Sequence, residues 1–309
     1  MRNIRTDLAV EARELLGPDI EGIDAERIEG ELPVERVRIL NDHAAKSMGK
    51  PKGNYITIEA PRIQERDMVY EERLAEAFAC ELRTLLRAQG IADHAPLLIA
   101  GLGNRVMTPD SLGARTVDKT LVTRHIHEYM PEQVDQRLRP VCAITPGVLG
   151  VSGIETLEMV KGVVQRVRPA ALIVIDALAA RRTERISTTI QLCDTGINPG
   201  SGVGNRRKGI HHGSVGVPVL AVGIPMVTYV NSIALDVAQK MLDKLIPAQQ
   251  EQERVIDETA EIIAVFGNHI VTPKEIDLIV EDASRVLANG LNLALHRSVT
   301  LEEVIRFMH

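Results

Sequence analysis

The chain has 309 residues, of which 45% are apolar and only 2% aromatic, which allows one large α/β domain with an aliphatic core. A formal net charge of −6 argues against a nucleic-acid surface as its main business. No run of about 18 apolar residues occurs, and the three cysteines are widely spaced. We therefore expect a cytoplasmic protein that neither spans a membrane nor depends on disulfides.

Predicted strands and helices alternate through the middle of the chain. The first 52 residues are polar and are interrupted by Pro18, Pro33 and Pro51. The predicted elements, in chain order, are a short strand at 56–58, a helix at 71–89, strands at 96–102 and 141–144, a loop at 147–150, a helix at 155–167, a strand at 171–175, an antiparallel edge strand at 186–192, a Gly- and Arg-rich loop at 198–213, a strand at 217–222 and mainly helices from 232 onward.

This alternation predicts an α/β fold with a mostly parallel sheet flanked by helices. We expect an antiparallel edge on that sheet and a helical C-terminal part over 240–309. Residues 1–309 are interpreted as one domain.

Two aspartates follow predicted buried strands. Asp110 comes after the strand at 96–102, where Thr108 is expected to cap a helix that has Pro109 at its first position. Asp176 directly follows the apolar run at 171–175. Ligands of open α/β sheets bind beyond the carboxyl ends of the strands, so the two acids predict a site for water activation or for a metal.

Each acid also has a simpler interpretation. An acid in the first turn of a helix, such as Asp110, is stabilised by the helix dipole whether or not it is catalytic. Asp176 could instead form an ion pair with one of the arginines that follow it, which are Arg181, Arg182 and Arg185.

Other motifs in the chain carry little chemistry. The triplet Asp194-Thr195-Gly196 is typical of pepsin-like proteases, but those are all-β and need two such turns. The glycine loop at 199–209 has neither the phosphate-loop spacing nor the dinucleotide-binding spacing. The histidine pairs His125/His127 and His211/His212 are interpreted as surface residues, and no serine lies in a nucleophile-elbow motif.

Several long segments together resemble the germination proteases of spore-forming bacteria. The matching segments are RTDLAVEA at 5–12, GLGN…TPDSLG at 101–113, TPGVLGVSGIET at 145–156 and VIDALAARRTERISTTIQLCDTGINPGSGVGNRR at 174–207. They span most of residues 5–240.

The resemblance implies an atypical aspartic endopeptidase with Asp110 and Asp176 as its catalytic acids. It implies cleavage after Glu or Asp in small acid-soluble spore proteins during germination, in the spore core, by a homotetramer. It also implies a zymogen that removes its own propeptide, here the short segment 1–7, by cutting between Asp7 and Leu8. Asp7-Leu8-Ala9 fits the expected cut, whereas Ile4 stands where the family favours an acid.

An acid at the cut would suit an arginine pocket. The arginines that flank the expected site in sequence, and that we predict to bind substrate, are Arg181, Arg182, Arg185, Arg206 and Arg207. Asn104 and Asp194 are further candidates near the site.

Two other functions stay open at this point. The turn at 101–113 also resembles that of hydrogenase maturation endopeptidases, with Asp110 in the place of a metal-binding Glu and Asp176 as a second ligand, but no third ligand can be placed. We therefore expect no cofactor, although a divalent metal at the two aspartates is an alternative. A non-catalytic protein that binds an anion through its arginines is the other.

Overall fold

A computed structural model describes residues 6–17, 20–200, 207–245, 258–259, 262–263 and 269–308. Its strands belong to one sheet. They are β1 (Ile23–Ile28), β2 (Val34–Ile39), β3 (Gly53–Glu59), β4 (Leu97–Gly101), β5 (Val141–Ile144), β6 (Ala171–Ala180), β7 (Thr189–Cys193), β8 (Val219–Tyr229) and β9 (Ile270–Val271).

The sheet has a parallel half and an antiparallel half. Its strand order is β1-β2-β3-β7-β8-β6-β4-β5, and β9 pairs with β8. Strands β8, β6, β4 and β5 run parallel to one another, whereas β1, β2, β3 and β7 pair antiparallel and join the rest through β8. The predicted α/β class is confirmed.

The position predicted for β7 is wrong. It lies between β3 and β8, and all five of its residues are buried, so it is an interior strand. The edge is formed by β1, which the polar N-terminal sequence did not reveal because most of its residues face solvent.

Helices cover both faces of the sheet. They are α1 (Ala9–Glu14), α2 (Asp42–Met48), α3 (Met68–Ala88), α4 (Leu112–Asp118), α5 (Arg124–Tyr129), α6 (Leu149–Ser152), α7 (Thr156–Val167), α8 (His212–Val215), α9 (Val230–Leu245), α10 (Ile276–Leu295) and α11 (Leu301–Met308). The predicted helices at 71–89 and 155–167 correspond to α3 and α7. The expected loop at 147–150 contains the start of α6, and the C-terminal part contains β9 as well as helices.

Alternate side chains of the central strands pack into two apolar cores, one on each face of the sheet. In β4, Leu97 and Ile99 belong to the core shared with α3 and α10, while Leu98 and Ala100 belong to the core under α7. This alternation follows from the two-residue period of a strand, and it explains why the central strands are apolar throughout.

No helix in the described part of the chain combines the length and the apolar character needed to cross a membrane.

Candidate active site

Asp110 lies in a tight loop between β4 and α4. The predicted helix does not begin at Thr108: residues Thr108–Asp110 form a single 3-10 turn, and α4 begins at Leu112. The Asp110 carboxylate accepts the backbone N–H of Asn104 at 2.8 Å. Asn104 is therefore beside Asp110 and contacts it through its backbone N–H.

Two glycines let this loop close on the sheet. Gly103 has φ +93°, and a Cβ there would lie 1.9 Å from the backbone oxygen of Asp110. A Cβ on Gly113 would lie 2.4 Å from the backbone oxygen of Ile175 in β6. Only glycine allows these approaches, so the GLGN…TPDSLG sequence is what carries Asp110 to β6.

Asp176 lies inside β6 and not after it, which corrects the predicted end of that strand. Ile175 is paired with Gly101, the last residue of β4, so Asp176 stands just beyond the end of the neighbouring strand. Its side chain accepts the backbone N–H of Ala177 at 3.0 Å, and the residue is only 5% exposed. The sheet thus delivers a carboxyl to the edge at which Asp110 lies.

The two carboxyls interact electrostatically, and their environments differ. Burial raises the pKa of Asp176 well above its ordinary value, and the charges of Asp110 and Asp7 raise it further. Burial also raises the pKa of Asp110, but the Asn104 N–H and the charge of Arg207 oppose that rise. Asp176 is therefore the carboxyl that holds its proton to higher pH.

The N-terminal segment binds directly to β6, the strand that carries Asp176, and the charge of Asp7 acts on that residue. The Asp7 N–H donates to the carbonyl oxygen of Ala179 at 3.0 Å, and the Ala179 N–H donates to the Asp7 carboxylate at 2.9 Å. The Asp7 carbonyl oxygen accepts hydrogen bonds from Nζ of Lys50 at 2.8 Å and from Nε2 of Gln191 at 2.9 Å. The bond predicted to be cut, Asp7–Leu8, is thus held in a defined geometry.

Apolar contacts fix the residue that follows this bond. Leu8 is fully buried in a small cluster with Val10, Leu178 and Ala180. The cluster lies on the last residues of β6, the strand that carries Asp176. Backbone hydrogen bonds and one apolar side-chain pocket therefore hold the segment on β6.

Three of the predicted arginines hold acids of α1. The backbone N–H groups of Arg181 and Arg182 donate to the buried Glu11 carboxylate at 2.7 and 2.9 Å. The Arg185 guanidinium forms a bidentate contact with Glu14, at 2.9 and 2.5 Å.

The remaining predicted site residues, Arg206, Arg207 and Asp194, have different positions. Arg207 acts on both aspartates through its charge, while Arg206 lies outside the described residues. Asp194 braces the antiparallel half of the sheet: its oxygens accept the backbone and side-chain N–H groups of Asn54 and the amide of Gln89. These contacts give Asp194 a structural part, and its predicted position near the site stays a prediction.

Sequence reasoning missed Lys50 and Gln191. Gln191 did carry a signal, since it is a polar residue between the apolar Ile190 and Leu192 of a predicted strand; in the structure it is only 7% exposed. Lys50 follows α2 in a polar region and had none. Over the part of the chain that is described, no group of three or more His, Cys, Asp or Glu side chains is arranged to hold a metal ion.

Comparison with known proteins gives a consistent result. A family model described as germination protease matches residues 5–269 and 247–308. Similar relatives include the germination proteases of Caldanaerobacter subterraneus subsp. tengcongensis (45% identical, covering 99% of this chain and 98% of the relative), Clostridium tetani (38%, covering 99% and 100%) and Priestia megaterium (37%, covering 99% and 97%).

One solved structure is also similar. It is the crystal structure of a [NiFe] hydrogenase maturation protease, HycI from Thermococcus kodakarensis KOD1, at 15% identity, covering 60% of this chain and 97% of that one with a TM-score of 0.30. A likeness of this size supports no inference about function.

Proposed function

We propose that this chain is an endopeptidase in which Asp110 and Asp176 activate water. It belongs to the germination protease family and is therefore a peptidase. We propose small acid-soluble spore proteins as its substrates, cut after Glu or Asp at the start of germination. The observation that carries the mechanism is the unequal acid pair: Asp176 is buried, which raises its pKa well above the ordinary value, whereas the Asn104 N–H and the charge of Arg207 oppose the rise in the pKa of Asp110.

The inequality assigns a role to each acid. Asp110 is the general base of the pair, because burial raises its pKa but the Asn104 N–H and the charge of Arg207 oppose that rise, so it ionises before Asp176. Asp176 is the general acid, because its burial and the neighbouring negative charges favour its protonated form. Two titratable groups whose environments separate their pKa values are the usual basis of such a division.

The proposed reaction has two proton transfers. Asp110 takes a proton from water as the water oxygen adds to the carbonyl carbon of the scissile peptide. When the tetrahedral intermediate collapses, the C–N bond breaks and the leaving nitrogen receives a proton from Asp176. The products are a new carboxyl group and a new amine, and no external oxidant or reductant is needed.

We propose in addition that the chain cuts itself between Asp7 and Leu8. The docking of Asp7 on β6, the strand that carries Asp176, supports the proposal, since the backbone of Asp7 pairs with β6 at Ala179 and its charge acts on Asp176. The sequence around the bond also fits, with an acid before it and Leu8-Ala9 after it.

The structure does not place all the predicted arginines where they could bind the acid that precedes the cut. The Asp7 carboxylate accepts the Ala179 N–H, while Arg185 is engaged by Glu14. Arg207 is the predicted arginine whose charge acts at the acid pair. We therefore propose that the Ala179 N–H and Arg207 recognise the substrate acid, and that Arg181, Arg182 and Arg185 anchor α1.

Three further expectations stay proposals. They are assembly as a homotetramer, location in the spore core, and activity without a metal. Exhaustive chelation tests the last: peptide cleavage should be unchanged, and a loss that one divalent ion restores would favour the metal-dependent alternative.

A peptide assay tests the acid pair. Asp110→Asn and Asp176→Asn should each slow cleavage of a Glu-containing peptide by about 10³-fold, because a general base or acid is lost. Asp194→Asn is the matched control and should keep nearly full activity. Near-normal turnover by either site variant would remove that residue from the mechanism.

A further inference from the structure

We propose that Lys50 and Gln191 form the oxyanion site for hydrolysis of the Asp7–Leu8 bond. This inference rests on the proposed self-cleavage at that bond. The carbonyl oxygen of Asp7 accepts hydrogen bonds from Nζ of Lys50 at 2.8 Å and from Nε2 of Gln191 at 2.9 Å. When water adds to a carbonyl carbon, the negative charge develops on this oxygen, and donors at about 2.7–3.1 Å are those that stabilise it.

Gln191 holds the peptide on both sides of the scissile bond. Its Nε2 donates to the Asp7 carbonyl oxygen, and its Oε1 accepts the backbone N–H of Ala9 at 2.6 Å. This pair of contacts fixes which end of the amide faces which group. Because Gln191 lies in the buried strand β7, its donor is held in place before the reaction begins.

Lys50 supplies the second donor, its Nζ group. Burial lowers the pKa of this group, and the neighbouring charges of Asp7 and Glu11, which favour the ammonium form, oppose that fall. A charged donor stabilises an oxyanion more strongly than a neutral one, and the effect grows where water is excluded. The neutral carbonyl of the ground state gains less, so the contact favours the transition state.

Lys50 and Gln191 act as hydrogen-bond donors throughout the proposed hydrolysis. Water adds to the Asp7 carbonyl carbon and loses a proton to the ionised acid of the pair, and the carbonyl oxygen becomes an oxyanion held by Lys50 and Gln191. The oxyanion then re-forms the carbonyl, the bond to the Leu8 nitrogen breaks, and that nitrogen takes the proton of the second acid. Lys50 and Gln191 exchange no proton with the substrate.

A purely structural alternative is that Lys50 and Gln191 only dock the N-terminal segment. The two roles can be separated because docking has its own reporter. The Ala179 N–H is held by the Asp7 carboxylate, so its hydrogen exchange measures whether Asp7 remains bound. Neither Lys50 nor Gln191 contributes to that hydrogen bond.

The experiment follows self-cleavage of the full chain by intact mass spectrometry, as the appearance of a product that begins at Leu8. The variants are Lys50→Met and Gln191→Met, which keep side-chain length and remove the donor. Lys46→Met, an exposed lysine on α2, is the control. We expect a loss of about 10²–10³-fold in each donor variant. We also expect normal Ala179 protection and no change in the control.

Two results would overturn the oxyanion role. One is self-cleavage by both donor variants at the rate of Lys46→Met. The other is a loss of rate that matches the loss of Ala179 protection, which is the result that docking alone predicts. Gln191→Met keeps the test valid if Lys50→Met does not fold.

Failure of the premise looks different. A wild-type chain that never yields the product beginning at Leu8 would overturn self-cleavage and the oxyanion role together. Cleavage of the Glu-containing peptide by the same preparation, and its loss in Asp110→Asn, would still report on the acid pair.

Discussion

In the proposed mechanism the two halves of the sheet contribute different groups. The parallel half supplies the acids, Asp110 after β4 and Asp176 within β6. The antiparallel half supplies hydrogen-bond donors, Gln191 from β7 and Lys50 from the turn between α2 and β3. The N-terminal segment lies across both, paired with β6 and held by Gln191.

In the proposed mechanism the parallel half supplies the carboxyls that transfer protons, and the antiparallel half supplies donors that hold the peptide and its oxyanion. The parallel half places its acids through close backbone approaches at glycines, which leave little freedom in the position of the carboxyls. The antiparallel half reads a peptide backbone, which requires donors and acceptors aimed at a strand-like segment. The following predictions test whether the halves are distinct in this way.

The largest effect is expected for the acid pair as a unit. The double variant Asp110→Asn/Asp176→Asn should lose about as much peptide cleavage as either single variant, within roughly tenfold, because residues that act in one step are not additive. Steady-state kinetics on all three variants measures this. If the fold-loss of the double variant equals the product of the two single fold-losses, the two acids act independently and not in one step.

The next effect concerns the close approach that positions Asp110. Gly103→Ala should lower the free energy of unfolding by about 3–4 kcal/mol, because it combines a left-handed backbone with a backbone clash. Gly147→Ala is the matched control: Gly147 also has positive φ (+69°), but a Cβ there meets nothing within 4 Å. It should cost about 1 kcal/mol. Equal losses in denaturant titrations would show that the clash at Asp110 is relieved cheaply.

A smaller effect is expected where the N-terminal segment is anchored. Glu11→Gln should lower stability by about 2 kcal/mol, because the fully buried carboxylate accepts the N–H groups of Arg181 and Arg182. Glu14→Gln, at a side chain that is 35% exposed, should change stability by only about 0.5 kcal/mol. Faster hydrogen exchange at Arg181 and Arg182 should accompany the first change only. Equal losses in the two variants would contradict an anchor at Glu11.

The last prediction concerns pH and has the smallest effect per unit of pH. The pKa of Asp176 is higher in the folded chain than in the unfolded chain, where it is about 4. Between those two values the folded state binds the proton and the unfolded state does not. The free energy of unfolding therefore falls as pH rises through this window. Asp176→Asn removes that fall. Its stability relative to wild type should increase by up to about 1.4 kcal/mol per pH unit across this window and be near zero below it. Thermal melts at several pH values measure the trend, and a constant difference would contradict a protonated Asp176.

Expectations about elements succeeded where local pattern decides structure. The apolar runs that became β4, β5, β6 and β8 and the periodicity of α3 and α7 were visible in the sequence. Strands β1 and β2 were not, because an edge hairpin that faces solvent on one side lacks a strong apolar signal. Without them, β7 was placed at the edge that β1 occupies.

The sequence by itself determined the α/β class, the two aspartates near strand ends and the bond expected to be cut, because each depends on residues that are neighbours in the chain. Only the tertiary structure decided that Asp176 is buried while Asp110 accepts the Asn104 N–H, and that Lys50 and Gln191 meet one carbonyl oxygen. Those donors are 43 and 184 residues from Asp7. A contact across such distances depends on sheet order and burial, for which a single sequence carries no local signature.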